Sequence, residues 1–207
     1  MKRICFVGAS TTEGMGDETG QGWPGRLSAS HRDMIVPYNL GVRGQLLGEI
    51  RQRAAAECTA RIVNPDQGGI VFCSGMNDIA RYQGISRTPA RRVFQSFETL
   101  LKDLKSVAPL IVIGPFPVFT PKMPYHSDLT GLDFDFRNED IEEADTVYKG
   151  LSETHSVPYL PVFSDLLESD QYAQSLKNGD GLHPGGDGYQ ILAEKIDDWS
   201  AWKTFIS

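Results

Sequence analysis

The chain has 207 residues, of which 40% are hydrophobic and 23% are charged, and its formal net charge is −7. This composition excludes a disordered tail or a disulfide-stapled miniature, and the length predicts one domain over residues 1–207 with a sizeable core. The acidic surplus disfavours nucleic-acid binding, because too few Lys and Arg side chains remain to displace the counterions of a phosphate backbone. We therefore expect no nucleic-acid partner.

The N-terminal residues and the cysteines indicate the cellular compartment in which the protein is expected. Residues 1–8 contain only a brief apolar stretch and no small-residue cleavage site, so they predict a first strand and not a signal peptide. No apolar run approaches the roughly 20 residues of a membrane span, and we expect no membrane partner. Cys5, Cys58 and Cys73 form no CxxC pair, which is typical of free thiols in a reducing compartment. The expected location is therefore cytoplasmic.

Short apolar runs alternate with longer helical patterns along the chain. The predicted strands are Ile4–Val7, Met34–Asn39, Gly69–Cys73, Leu110–Ile113 and Tyr159–Val162. The predicted helices are Gly22–His31, Gln45–Cys58, Pro89–Val107, Asn138–Thr154 and Gly186–Trp202. Such alternation predicts an α/β fold in which a five-stranded parallel sheet carries helices on both faces. Ligands of these folds bind at the carboxyl ends of the strands.

Two segments outside the predicted sheet have distinctive compositions. The stretch Pro115–Asp135 is long, irregular and rich in Pro and aromatic residues, which predicts a lid or the wall of a binding site. Arg87, Arg91 and Arg92 stand among helix-forming residues, so we interpret them as a solvated helix face. Thr88 is expected to cap that helix, with the following proline at the first helical position.

The first predicted strand is followed by a serine. In Gly8-Ala9-Ser10, Ser10 is either a helix cap or a nucleophile. The segment matches neither the GxGxxG nor the GxxxxGK[ST] pattern, which disfavours a phosphate loop. Thr12 stands where the second glycine of the GxSxG elbow would be, so that hydrolase motif is absent as well.

Residues able to donate hydrogen bonds follow the next two strands. The segment after the second strand contains Gly41 and Gly44, and glycine lets a backbone N–H approach a ligand closely. Asn77, in the segment after the third strand, either offers its side-chain amide to the same space or only forms a turn.

A glycine-rich loop before the last helix contains Asp180 and His183. At this spacing the carboxylate can hold the imidazole in the single tautomer that a general base needs. The other three histidines, His31, His126 and His155, have no such neighbourhood, and we interpret them as surface or loop residues. One histidine with scattered carboxylates gives no metal-ligand spacing, so we expect no metal and no cofactor.

These weak signals agree with one chemistry. Hydrolysis of an acyl bond needs a nucleophile, a base, a group that orients the base, and donors for the developing oxyanion. Ser10, His183 and Asp180 fill the first three roles. Backbone N–H groups of Ser10 and a nearby glycine, with the amide of Asn77, fill the fourth. All are predicted at the edge of the sheet where ligands bind.

The blocks Phe6–Ser10, Asn39–Gly44, Gly75–Asp78 and Asp180–Pro184 together resemble the SGNH (GDSL-type) hydrolase family across nearly the whole chain. The resemblance implies an esterase or lipase with a three-layer α/β/α sandwich of the flavodoxin-like type. It also implies the residue roles. Ser10 would be the nucleophile, His183 the base and then the acid, and Asp180 its orienting partner, with Ser10, Gly44 and Asn77 forming the oxyanion hole. Gly44 is preferred to Gly41 because it matches the family position and precedes a helix.

One block departs from the family pattern. The usual Gly-Asp-Ser-Leu reads Gly8-Ala9-Ser10-Thr11, so Ala9 removes a carboxylate that could tie down the nucleophile loop. That aspartate is not the acid that orients the histidine, so no catalytic group is lost. The change nevertheless keeps a catalytically inactive binding module as an alternative. A thioesterase or a carbohydrate acetylesterase with the same catalytic residues is another.

The expected partner is a small-molecule ester. An apolar and aromatic pocket wall suits an acyl chain or an acetyl ester of a larger molecule. No lid helix with a clear apolar stripe is evident, which favours small soluble esters over emulsified triglyceride. The sequence leaves the oligomeric state open. The residues predicted to form the wall are Met15, Trp23, Met76, Phe116, Phe119 and Leu182.

Overall fold

A computed structural model describes residues 1–207. Its strands are β1 Lys2–Gly8, β2 Ile35–Gly41, β3 Gly68–Cys73, β4 Arg81–Tyr82, β5 Ile85–Ser86, β6 Leu110–Ile113, β7 Tyr125–Ser127, β8 Leu132–Phe134 and β9 Tyr159–Leu160. Its helices are α1 Ser10–Glu13, α2 Gly22–Ser30, α3 Leu47–Arg61, α4 Met76–Ile79, α5 Ala90–Lys105, α6 Asn138–Thr154, α7 Phe163–Leu167, α8 Asp170–Asn178, α9 Gly186–Asp198 and α10 Ser200–Ile206. None of these helices is long and apolar enough to cross a bilayer.

The central sheet is five-stranded and all-parallel, in the order β2-β1-β3-β6-β9. This confirms the predicted α/β architecture. Gly8 at the end of β1 pairs with Gly41 on one side and with Cys73 on the other. The three neighbouring strands therefore end together, and the segments that follow them begin side by side.

Helices cover both faces of the sheet, which explains why the strands are apolar at consecutive positions. Along β1, Cys5 and Val7 point into the core beneath α3 and α5, whereas Ile4 and Phe6 point into the core beneath α2 and α9. A smaller cluster that includes Phe134 lies beside the carboxyl end of the sheet. The strand thus contributes to two cores of similar size, and its path is fixed from both sides.

Several element boundaries differ from those predicted. The predicted helix Gln45–Cys58 begins at Leu47, whose N–H donates to a carboxylate of Asp78 at 2.9 Å. The predicted helix Gly186–Trp202 is broken at Trp199, which adopts an extended conformation between α9 and α10. The short helices α7 and α8 are absent from the sequence prediction.

The segment around the start of α5 also needs correction. The helix begins at Ala90, and Thr88 does not cap it, because its hydroxyl donates to Asp78 at 3.2 Å. Arg91 and Arg92 are exposed on α5, as expected. Arg87 precedes the helix and lies over the ring of Phe134, so its assignment to a solvated helix face is wrong.

Candidate active site

Ser10, just beyond the carboxyl end of β1, forms one hydrogen-bonded series with His183 and Asp180. His183 Nε2 lies 2.9 Å from Ser10 Oγ, and His183 Nδ1 lies 2.7 Å from Asp180 Oδ2. The second carboxylate oxygen of Asp180 accepts the backbone N–H groups of Leu182 and His183, at 2.8 and 2.7 Å. The carboxylate thereby fixes both the ring and the backbone that carries it.

Two distant parts of the chain meet to build this series. Ser10 opens α1 directly after β1, whereas His183 lies in the loop between α8 and α9. The segment after α1 is tied to α9 by a hydrogen bond of 2.7 Å from the Tyr189 hydroxyl to the Met15 carbonyl. Gly16 has a φ of +90°, and a Cβ there would lie 3.0 Å from that of His183. Only glycine allows so close an approach in this conformation.

The electrostatics favour a charged Asp180. Burial raises the pKa of its carboxyl group, but hydrogen bonds from the His183 ring and from two backbone N–H groups lower it more, and the net direction is downward. Asp180 is therefore a carboxylate at neutral pH. A fixed negative charge beside Nδ1 stabilises an imidazolium if His183 accepts a proton.

Three hydrogen-bond donors lie around Ser10. The backbone N–H groups of Ser10 and Gly44 have no intramolecular acceptor, and Gly44 and Asn77 line the same cleft as Ser10. The Asn77 Nδ2 atom donates one hydrogen to the Gln45 carbonyl at 3.0 Å. Because a primary amide carries two hydrogens, this bond orients the side chain and leaves the second free.

Gly41, the other glycine considered after the second strand, serves a different purpose. Its N–H donates to the Asn39 side chain at 2.9 Å. A Cβ at this position would lie 2.2 Å from the backbone nitrogen of Glu13, so Gly41 is where α1 packs against β2. Its N–H is occupied, whereas that of Gly44 is free.

Ala9 stands at the N-cap of α1 and provides no capping hydrogen bond. Its side chain is buried and lines the space beside Ser10. The loop that carries Ser10 is held by other contacts. The Thr12 hydroxyl donates to the Cys73 carbonyl at 3.2 Å, and Asn39 donates to the Thr12 carbonyl at 2.8 Å.

Two connected spaces open at Ser10. We call the smaller one the chamber; its lining includes Ala9, Pro115 and Phe136. We call the larger one the cleft; its lining includes Met15, Gly44 and Tyr125. The β7–β8 hairpin, which lies within the predicted loop Pro115–Asp135, forms much of the wall of the cleft.

Half of the predicted pocket wall lies at these spaces. Met15 lines the cleft, Met76 lines the chamber and Leu182 lines both. The other three residues need correction. Trp23 is fully buried with its ring edge-on to that of Phe6, Phe116 belongs to the same core, and Phe119 packs against that core from the outside. Their aromatic rings pack in or against the core and line neither space.

Sequence reasoning missed other residues at the site. The ring of Tyr125 lies edge-on to that of His183, with centroids 5.4 Å apart. Arg43 and Arg87 line the cleft, and Arg43 forms an ion pair with Glu13 at 2.6 Å. Tyr125 could have been found from its place in the segment predicted as a binding wall. No signal in the sequence pointed to Arg87.

Asp78 is a buried carboxyl group that connects the candidate site to two neighbouring helices. It follows Asn77, is buried, and accepts the N–H of Leu47 and the hydroxyl of Thr88. Burial raises its pKa to about 6, although these two hydrogen bonds act in the opposite direction. This carboxyl group therefore holds the start of α3 and the start of α5 beside the asparagine.

The raised pKa of Asp78 predicts a pH-dependent stability. An unfolded Asp titrates near pH 4, so between about pH 4 and 6 the folded state binds more protons than the unfolded state. The contribution of Asp78 to the free energy of unfolding is therefore greatest below pH 4 and is lost as the pH rises through 6. Urea denaturation of wild type and Asp78→Asn should show the wild type losing on the order of 2 kcal/mol relative to the variant over this range.

The matched control is Asp66→Asn, at an exposed position on the turn before β3. The difference in free energy of unfolding between wild type and Asp78→Asn is followed against pH, and the same difference for Asp66→Asn serves as the reference. A wild type that gains stability relative to Asp78→Asn as the pH rises would contradict the buried-carboxyl interpretation.

Comparison with known proteins agrees with the fold. The α/β fold is that of the lipase and acylhydrolase structures with which it superposes. The GDSL-like lipase/acylhydrolase family model matches residues 6–191, and the chain belongs to that family.

The similar proteins are distant in sequence. The uncharacterized protein YpmR of Bacillus subtilis is 23% identical over 93% of this chain and 79% of its own length. The lipase/acylhydrolase from Enterococcus faecalis superposes with a TM-score of 0.72 at 19% identity, covering 95% of this chain and 93% of its own. The acetyl xylan esterase AlAXEase superposes with a TM-score of 0.67 at 16% identity, covering 96% of this chain and 98% of its own.

Proposed function

We propose that the protein is a serine esterase that hydrolyses short-chain carboxylic esters through an acyl-enzyme. The observation that supports this most directly is the contact of 2.9 Å between Ser10 Oγ and His183 Nε2, with Asp180 at 2.7 Å on the far side of the ring. Membership in the acylhydrolase family supports the same reaction class.

In the acylation step, Ser10 Oγ attacks the ester carbonyl while His183 Nε2 takes the hydroxyl proton. The carbonyl oxygen becomes an oxyanion, which accepts hydrogen bonds from the N–H groups of Ser10 and Gly44 and from the free hydrogen of Asn77. The intermediate collapses when the bond to the alcohol oxygen breaks. The imidazolium gives its proton to that oxygen, and the alcohol leaves.

Deacylation repeats these steps with water. His183 takes a proton from the water molecule as its oxygen attacks the acyl carbonyl, and the same donors hold the second oxyanion. When the bond to Ser10 Oγ breaks, the imidazolium returns the proton to the serine, and a carboxylic acid leaves. Asp180 stays ionised throughout and keeps Nδ1 protonated.

The two spaces at Ser10 suit the two halves of an ester. The chamber is small and mostly apolar, so it fits a short acyl group such as acetyl. The cleft is larger and carries polar and charged groups, so it fits a bulkier alcohol. The similarity to an acetyl xylan esterase agrees with a small acyl group on a larger alcohol.

A panel of p-nitrophenyl esters of increasing acyl length tests this proposal. We expect kcat/KM to be highest for acetyl to butyryl esters and to fall by about tenfold or more at octanoyl, because extra methylenes do not fit the chamber without displacing its walls. A stoichiometric fluorophosphonate adduct at Ser10 is expected in the same preparation.

Two outcomes would contradict the proposal. One is a protein that hydrolyses none of the esters and forms no adduct, which would favour an inactive binding module. The other is a kcat/KM that rises steadily with acyl length, which would favour a lipase. An acyl-thioester of matched acyl length in the same panel distinguishes an esterase from a thioesterase.

A further inference from the structure

Arg87 is a cationic side chain of the cleft without a hydrogen-bond or carboxylate partner. It lies between β5 and α5 and faces the space that Ser10 and Asn77 also line. No hydrogen bond and no carboxylate contact is formed by its guanidinium group, although Asp78 and Glu49 are near enough to act on it through space. Partial burial of the guanidinium group lowers the pKa of Arg87, while Asp78 and Glu49 act in the opposite direction.

The other charged side chains of the cleft are either paired with an opposite charge or exposed to water. Arg43 is neutralised by Glu13, which accepts its Nε and Nη2 hydrogens at 2.8 and 2.6 Å. Asp128 also lines the cleft, but it is exposed at the turn of the β7–β8 hairpin and remains hydrated. Arg87 is therefore the partly buried cation that a ligand in the cleft meets.

The position of Arg87 is fixed by an aromatic ring. Its Cζ atom lies 4.5 Å from the centroid of the Phe134 ring on β8, a cation–π geometry. This contact engages none of the N–H donors in a hydrogen bond. The planar donor set of arginine matches the two oxygens of a carboxylate or a phosphate.

Arg87 lines the cleft and not the chamber, which puts it on the side assigned to the alcohol. We propose that Arg87 binds an oxyanion group, a carboxylate or a phosphate, carried by the alcohol portion of the ester. This proposal rests on the proposed function and adds to it the charge of the substrate. Because the contact is made to a group of the substrate that does not react, it acts equally in the ground state and in the transition state, and its loss raises KM and leaves kcat nearly unchanged.

Three acetyl esters test this inference. 4-Acetoxybenzoate carries a carboxylate, 4-acetoxyphenyl phosphate carries a phosphate, and 4-acetoxybenzamide is a neutral relative. For Arg87→Gln we expect kcat/KM to fall by about ten- to a hundredfold on one or both anionic esters, through KM, and to change less than about twofold on the amide. Comparing variant with wild type on each ester cancels the different reactivities of the leaving groups. The anionic ester with the larger loss identifies the preferred group.

The matched control is Arg91→Gln, which removes the same charge from an exposed position on α5. It should leave kcat/KM on each of the three esters within about twofold of wild type. Arg87→Lys keeps the charge without the planar donors, and its loss on the anionic esters should be intermediate. If Arg87→Gln is poorly folded by circular dichroism, the Lys variant provides the comparison.

The possible results separate the two proposals. Equal losses on the amide and the anionic esters, or equal effects of the Arg87 and Arg91 variants, would overturn the role of Arg87 while leaving the esterase intact. A wild type that hydrolyses none of the three esters and no p-nitrophenyl ester would overturn the proposed function and this inference with it.

Discussion

Replacing Ser10 by alanine should lower kcat for p-nitrophenyl acetate by about 10⁴- to 10⁶-fold while the protein stays folded. The variant loses the oxygen that lies 2.9 Å from His183 Nε2 and forms the covalent bond to the acyl group. A small residual rate is expected because the donors around the site still bind an oxyanion when water attacks directly. The side chain is buried but small, so the loss of one hydroxyl leaves little unfilled volume.

Steady-state kinetics and fluorophosphonate labelling measure this effect together. Ser10→Ala should take up no label, and its circular dichroism spectrum and thermal midpoint should stay close to those of wild type. Ser164→Ala, which removes an exposed hydroxyl on α7, is the matched control and should label and turn over normally. Retained turnover in Ser10→Ala would require another nucleophile and would contradict the mechanism.

The second large effect is expected for Asp180→Asn, with kcat falling by about 10³- to 10⁴-fold. Asparagine is nearly isosteric, and its oxygen can still accept the N–H groups of Leu182 and His183. Its NH₂ group would replace the carboxylate oxygen beside Nδ1, however, and cannot accept the Nδ1 proton. The ring would then favour the tautomer that is protonated on Nε2, which cannot take a proton from Ser10.

This prediction has a structural control and a chemical one. Asp187→Asn, at an exposed position in the first turn of α9, removes a charge near the same loop and should retain activity. Labelling of Asp180→Asn by the fluorophosphonate should slow by a factor similar to the loss in kcat, because both reactions need an activated serine. A full rate of labelling would show that Asp180 does not act through His183.

Much of the fold could be predicted because its signals are local. The parallel strands are buried on both faces and therefore appear as continuous apolar runs, and helix α6 coincides with the predicted range Asn138–Thr154. Boundaries that depend on distant partners were less accurate. At the start of α3, the N–H of Leu47 donates to Asp78, which lies 31 positions away in the chain, and no local pattern reveals that contact.

Most residues of the candidate site could be predicted from the sequence for a similar reason. Ser10, Asn77 and the Asp180–His183 pair each follow a strand or precede a helix, and parallel strands must end at the same edge of the sheet. The choice between Gly41 and Gly44 could not be made this way. It depends on which N–H is already occupied by another part of the molecule.

The sequence by itself determined the α/β architecture and the candidate residues for acyl transfer at one edge of the sheet, because apolar periodicity and the chemistry of side chains are properties of short segments. Only the tertiary structure decided which side chains line the cleft. Trp23 and Phe116 have the composition of a pocket wall but lie in the core, whereas Arg87 reaches the cleft. Burial and charge pairing depend on contacts between residues far apart in the chain, and those contacts exist only after folding.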